Sequence, residues 1–207
     1  MKAEILKILK KAEEYVSGQQ LCEQLGVSRT AVWKAIRQLE EEGYVIEAVR
    51  NKGYRLVEDA DVLTVAELRS VLDTKWLGQE GDYFYETDST NNRARDAAEK
   101  GASHGYLAVA DSQTAGKGRR GRVWNSPHGT DIFMSFLMRP SFGPSQASML
   151  TLVAGMAVVK GVQKATGLNA MIKWPNDAVV NGKKICGILT EMSTEEDTIR
   201  YVVVGIG

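Results

Sequence analysis

The sequence has few groups for cross-linking or metal binding: two cysteines, Cys22 and Cys186, and two histidines. The cysteines lack ligand spacing and lie in unrelated segments, so neither a disulfide framework nor a structural zinc site is expected. Reduced thiols in a cytoplasmic protein are the expectation. Long hydrophobic runs are missing too. The longest nearly apolar stretch, Met149 to Val159, is eleven residues and includes Thr151 and Gly155. A membrane span needs about 20, so no membrane partner is expected. The opening MKAEILKILKKAEE alternates charged and apolar residues and lacks the apolar stretch and small-residue cleavage site of a secretory signal. No charge of one sign dominates either, since Lys+Arg and Asp+Glu each total 26. A polyanion must therefore be met by a local basic patch, which excludes a histone-like binder. The 207 residues allow one large domain or two modest ones.

The first sixty residues read as a DNA-binding unit. Ile5, Leu6, Leu9 and Ala12 fall at helical spacing and predict a helix over 3–14. Ser17 and Gln20 form a capping-box pattern that opens a second helix, stopped by Gly26. Ser28 then caps a third helix ending at Gly43. Two helices joined by a tight Gly turn form a helix-turn-helix, whose second member can lie in a major groove. Ala31, Val32, Ala35, Ile36 and Leu39 supply its inward side. Ser28, Arg29, Thr30, Lys34 and Arg37 are left for DNA. Tyr44–Ile46 and Tyr54–Leu56 predict two strands around Asn51-Lys52-Gly53, a basic-tipped wing placing Arg50 and Lys52 against phosphate. The same face could instead be ordinary solvated surface, because Glu40 to Glu42 nearly cancel its bases. Glu58-Asp59-Ala60-Asp61 is a polar break, followed by Thr64 and Glu67 at capping-box spacing before Leu68, Val71 and Leu72, so a domain boundary is expected between residues 61 and 62.

The second unit carries the chemistry. A strand at Tyr83–Glu86 delivers Asp88, Ser89, Thr90 and Asn91 to a helix start, which makes a donor-rich pocket for a polar or anionic ligand. After a strand at Leu107–Ala110 comes Gln113-Thr-Ala-Gly-Lys-Gly-Arg-Arg-Gly-Arg122. Such a loop will not hold a helix, but its N–H groups and guanidinium forks can surround phosphates. It formally matches G-x-G-x-x-G. Yet a strand at 132–138 follows where a dinucleotide fold needs a helix, and Arg122-Val123 stands where a P-loop needs Lys-Ser/Thr. The stripe Met149, Leu152, Val153, Met156, Val159 and Val162 predicts a core helix face. Lys173 and Asp177 flank the bend Trp174-Pro175-Asn176, where they could form a plain ion pair or serve a triphosphate with Mg²⁺. Asn181-Gly182 is the strongest hairpin signal in the chain. It returns Lys184 towards that bend, and Gly187 suggests close approach of another group.

Together GKGRRGRVW, KWPND, KKICGI and VVVGIG resemble the biotin–protein ligases, specifically those that carry a winged helix and also repress biotin synthesis genes. The resemblance implies an α+β protein. Residues 1–61 would be a winged helix-turn-helix. Residues 62–207 would be a mixed-sheet α/β catalytic domain of the class II synthetase/biotin ligase type, incomplete at its C-terminus. It implies activation of biotin by ATP and Mg²⁺ to biotinyl-5′-AMP, then transfer to a lysine of the biotin carboxyl carrier protein of acetyl-CoA carboxylase. Ser89, Thr90, Asn91 and Gln113 match positions around biotin's ureido head. Lys117, Gly118 and Arg119 match the loop over its carboxylate and the α-phosphate. Arg122, Trp124, Lys173, Asn176 and Asp177 match the ATP side, with Asp177 acting on Mg²⁺ indirectly. Lys184 matches the lysine that contacts carboxylate and phosphate oxygens and, with Arg119, is the expected catalytic pair. Gly187 matches a close backbone contact. Operator DNA, and a homodimer when biotinyl-AMP is bound, are the further implied partners. Lys117 departs from the pattern, which usually has arginine there. Two other readings stay open: a lipoate–protein ligase, and a transcriptional regulator that binds ligand without turning it over.

Overall fold

The computed structural model describes all residues from Met1 to Gly207 and divides them into two compact units, Met1–Asp73 and Thr74–Gly207.

The first unit contains α1 (Lys2–Lys11), α2 (Gly18–Leu25), α3 (Arg29–Glu41), β1 (Val45–Val49), β2 (Gly53–Glu58) and α4 (Val65–Val71). Ser17 and Gln20 form the full reciprocal capping box, and Gly26 ends α2 in the left-handed conformation. The Ser28 hydroxyl accepts from the Ala31 N–H at the start of α3. Ile5, Leu6 and Leu9 of α1 meet Leu21 of α2 and Val32, Ile36 and Leu39 of α3 in one apolar core. β1 and β2 pair as an antiparallel wing, with Asn51 at positive φ in its turn. Gly53, also at positive φ, brings the wing against the backbone of Val16, where a β-carbon would strike the Val16 carbonyl.

The division at 73/74 replaces the boundary expected at 61/62. Thr64 does cap a helix, but that helix belongs to the first unit. Glu67 of α4 accepts from Lys10 at 2.5 Å and from the buried Tyr44 hydroxyl, tying α4 to α1. The carboxylate that reads as a helix-capping residue is therefore also the anchor of that helix.

The second unit contains β3 (Gly81–Phe84), α5 (Thr90–Glu99), β4 (Leu107–Ala110), β5 (Phe133–Met138), α6 (Met149–Thr166), β6 (Ala170–Lys173), β7 (Asp177–Val180), β8 (Lys183–Glu195) and β9 (Thr198–Ile206). Its seven strands form one mixed sheet in the order β3-β4-β5-β9-β8-β7-β6, with β3 and β4 parallel and every other pair antiparallel. The central strand β9 shows how the layers form. Tyr201 and Val203 pack with Ala94 and Ala98 of α5, while Val202 and Val204 pack with Leu150 and Ala154 of α6. Alternate residues point to opposite faces, so α5 covers one side of the sheet and α6 the other.

Two expectations change here. The stripe on α6 is not a uniform core face: Met149, Val153 and Met156 are more than half exposed, and the sheet is met by Leu150, Ala154 and Gly155. The helix is apolar on both sides, so periodicity alone could not choose the buried one. Segment Pro144–Thr166 is also long and apolar enough to cross a membrane by length and composition, although its Leu150–Gly155 side packs as a core helix does. The hairpin at Asn181-Gly182 forms as expected, both residues having positive φ. Both cysteines are free; Cys186 is buried, and burial pushes its thiol up to about 11.

Candidate active site

A cavity of about 530 Å³ opens on the α5 side of the sheet. Its inner end is neutral and polar. Ser89, Thr90 and Asn91 are each at most 5% exposed, at the start of α5. The Ser89 side chain makes no cap bond; the cap is Asp88, whose carboxylate accepts from the Ser89 N–H at 2.7 Å and from Asn92 Nδ2 at 2.6 Å. Burial works to raise the Asp88 pKa, but these donors, the Thr87 hydroxyl and Arg93 hold it below the usual carboxylate value. Gln113 closes this end. Its Oε1 accepts from the Thr90 N–H at 2.8 Å, while its Nε2 donates to Ser126 Oγ at 2.9 Å.

The outer end is cationic. Lys117, Arg119, Arg120, Arg122 and Lys184 line the cavity, and Asp177 is the one carboxylate among the lining residues. The glycine loop folds back on itself. Gly118 N–H donates to the Arg122 carbonyl at 2.7 Å, and Trp124 N–H to the Gly116 carbonyl at 2.9 Å. A single 3₁₀ turn at Arg119–Gly121 is all the helix it contains, with Arg120 at positive φ. Lys117 Nζ donates to Asn92 Oδ1 at 2.6 Å, and Arg119 donates to Asn176 Oδ1 at 3.1 Å. The loop thus spans from the helix start to the Trp174–Asn176 bend.

Trp124 lies against the strand ends at Gly187 and Gly207. A β-carbon on Gly187 would stand 2.9 Å from its ring, so only glycine fits there. Lys184 Nζ sits 4.8 Å from the same ring centroid and 2.8 Å from Asp177 Oδ1. The cavity therefore gathers every sequence-predicted ligand residue except one. Lys173, on edge strand β6, is exposed and does not line the cavity. It pairs with Asp177 in the ladder, and the chain enters the cavity only after it, through Trp174, Pro175 and Asn176. The Trp174–Pro175 bond in that bend is cis.

Several residues at the site were not singled out from sequence. Arg120 and Leu189 line the cavity, and Ser126 fixes Gln113. Ser135 is fully buried beneath α5; the signal was a lone hydroxyl on the inward side of FMSFLM. Ser112, His128 and Asp111 form a hydroxyl–imidazole–carboxylate line at 3.0 and 2.8 Å. Ser112 is only 4% exposed and does not line the cavity, so this line is a strut and not a nucleophile.

In the first unit, Ser28, Arg29, Thr30, Lys34 and Arg37 are exposed, as are Arg50 and Lys52 on the wing. Arg29 bonds Gln19 at 3.0 Å and Arg37 pairs with Glu40 at 3.1 Å. Trp33, unmarked in the sequence reading, is half exposed on α3, with the Arg37 guanidinium 5.6 Å from its ring.

Residues 83–207 match the model of the biotin/lipoate A/B protein ligase family, and residues 2–55 match that of an HTH domain. The chain belongs to the biotin/lipoate A/B protein ligase family. It is similar to the bifunctional ligase/repressor BirA of Bacillus subtilis, 46% identical over the whole chain and 64% of that protein's length. The protein of the same name from Escherichia coli K12 is 35% identical over 94% of this chain and 59% of its own length. The chain thus spans about three-fifths of the length of these relatives. Among solved structures, biotin protein ligase from Aquifex aeolicus with biotin and ATP is 36% identical. It has a TM-score of 0.53, covering 62% of this chain and 51% of that one. The Leishmania major enzyme with biotinyl-5-AMP is 29% identical at a TM-score of 0.54, covering 62% of this chain and 56% of that one.

Proposed function

We propose that this chain activates biotin with ATP and passes the biotinyl group to a lysine of the biotin carboxyl carrier protein of acetyl-CoA carboxylase. The observation that carries this reading is the polarity of the cavity, neutral and hydrogen-bonding at Thr90 and Gln113, cationic at Arg119 and Lys184. A ligand with a compact polar head and a carboxylate tail fits that gradient, with the tail meeting a triphosphate at the cationic end. A biotin carboxylate oxygen attacks the α-phosphorus, the bond to the bridging oxygen breaks, and pyrophosphate leaves. Two anions must meet in this step, so charge neutralisation and positioning matter more than a proton-transfer residue. Lys117, Arg119 and Lys184 supply the charge. The folded-over loop also keeps water from the mixed anhydride. A lysine amine of the carrier then attacks the acyl carbon, forming the C–N bond as AMP leaves.

Mg²⁺ would arrive with the nucleotide. No group of three His, Cys, Asp or Glu could hold a metal, and Asp177 is the one cavity carboxylate. Mg²⁺ is commonly held by one or two carboxylates plus substrate phosphates. Asp177 fits that limited role, in exchange for its Lys184 contact.

The first unit would give the second function, biotin-responsive repression of biotin synthesis genes in the cytoplasm. Arg29, Thr30, Lys34 and Arg37 would enter the operator's major groove from α3, with Ser28 at its start and Arg50 and Lys52 on flanking phosphates. A homodimer formed with biotinyl-5′-AMP bound would present two such units to two half-sites. The identity to bifunctional ligase/repressors supports both halves of this reading. Biotin-dependent exchange of labelled pyrophosphate into ATP tests the enzyme half. Exchange driven by biotin and not by lipoate supports it; no exchange with either would reduce the chain to a ligand-binding regulator.

A further inference from the structure

The two walls of the cavity's inner end are held in different ways. The wall at the start of α5 is anchored in strands: Asn91 Nδ2 donates to Glu191 of β8 at 2.7 Å, and Asn91 Oδ1 accepts from Ser135 of β5 at 2.6 Å. The facing wall, Gln113, has no such anchor. It lies beyond the end of β4 at Ala110, and its neighbours Thr87 and Ser126 are outside strands as well. The three segments meet only as isolated bridges, Thr87 with Gln113 and Gln113 with Ser126. An isolated bridge lacks the flanking pairs of a ladder and opens more easily.

His128 grips all three segments. Its Nδ1 lies 2.8 Å from Asp111 Oδ2, and its Nε2 lies 3.0 Å from Ser112 Oγ and 3.5 Å from Glu86 Oε2. Its ring stacks on Tyr85 with centroids 4.4 Å apart. Each contact falls next to a bridge: Glu86 precedes Thr87, Ser112 precedes Gln113, and His128 itself follows the Ser126-Pro127 pair. A carboxylate only accepts, so Nδ1 carries a proton for Asp111, and Nε2 of the neutral ring accepts from the buried Ser112 hydroxyl. The Ser112 carbonyl in turn accepts from the Thr87 N–H at 3.2 Å, which ties the first two segments through the residue that His128 holds.

We infer that His128 is a positioning residue: by clamping Tyr85–Glu86 and Asp111–Ser112 to its own segment, it holds the Gln113 carboxamide in place as the inner wall of the ligand pocket. His128 lies outside the cavity and acts only through Gln113, which keeps Oε1 on the Thr90 N–H and Nε2 on Ser126 Oγ. The inference rests on the biotin reading and refines it, since that reading seats the polar head of the ligand between Thr90 and Gln113.

The test combines calorimetric titration with biotin and amide hydrogen exchange read by NMR, on the 207-residue chain and its His128→Ala and His128→Gln variants. His128→Ala is expected to weaken biotin binding about tenfold, as loss of one or two net hydrogen bonds implies. It should also speed exchange at the Thr90 and Gln113 amides while Val203 and Val204 of β9 stay protected as in the wild type. His128→Gln, whose carboxamide offers a donor and an acceptor at similar reach, should recover most of the affinity and the protection. A merely structural role would speed exchange in β9 as much as at Thr90 and Gln113, which overturns the inference. Unchanged biotin affinity in His128→Ala overturns it too, while the biotin reading stands. Absence of biotin binding by the wild-type chain overturns that reading, and the exchange pattern alone then decides whether His128 positions Gln113.

Discussion

Asn91 Oδ1 stands in the space that a β-carbon on Gly205 would occupy. Gly205 pairs with Ser135 on one side and Leu189 on the other, so the Asn91 amide crosses β9 through the one gap in that row. A methyl group at 205 would push Asn91 off Ser135 and Glu191 together. Gly205→Ala is expected to lower stability by about 2 kcal/mol or more, from overpacking and unpaired buried groups. Urea unfolding checks this, and an unchanged midpoint would show that the amide has another place to go.

Asp88 gives the α5 start a pH dependence of known sign. Its folded pKa is depressed, so its contribution is fully present above the unfolded value of about 3.9 and is lost as pH falls through the lower folded value. Asp88→Asn lacks that increment. The gap in urea midpoint between wild type and Asp88→Asn should be widest above about pH 4 and shrink below it. A gap that is constant from pH 6 to pH 3 would assign the cap to another group.

Arg119 joins the glycine loop to Asn176 across the cavity mouth. Arg119→Gly removes that tie and, on the proposed function, a cation beside the anhydride. The variant is expected to form biotinyl-5′-AMP but release it, labelling bystander lysines on unrelated protein. Adenylate retained as in the wild type in a filter-release assay would refute this role.

On α3, Lys34 is exposed, and in the proposed DNA complex its charge would displace a counterion from the duplex. Lys34→Ala should weaken binding to any duplex and reduce the slope of log affinity against log salt by about one. An unchanged slope in fluorescence anisotropy would place Lys34 away from the DNA.

Legibility of the molecule from its sequence follows the range of the forces involved. Local signals were plain: Ser17 with Gln20, Gly26, Ser28 and Asn181-Gly182 each act within four residues, and each forms what it predicts. The cationic stretch was legible as a loop because glycine at that density does not hold a helix, and only a single 3₁₀ turn forms there. Long-range relations were not. Glu67 reads locally as a cap, and only the approach of Lys10 and Tyr44 makes it an anchor. Lys173 reads as a site residue from its neighbours, but the edge strand leaves it outside. Glu191 carries no local mark; its partner Asn91 is a hundred residues away in the chain.

The most direct test of the account is mass spectrometry of the ligand retained by this chain after incubation with Mg²⁺, ATP and equimolar biotin and lipoate. The account predicts biotinyl-5′-AMP alone. Retained lipoyl-adenylate would contradict the substrate, and a chain that takes up biotin but forms no adenylate would contradict the catalytic role given to Arg119 and Lys184.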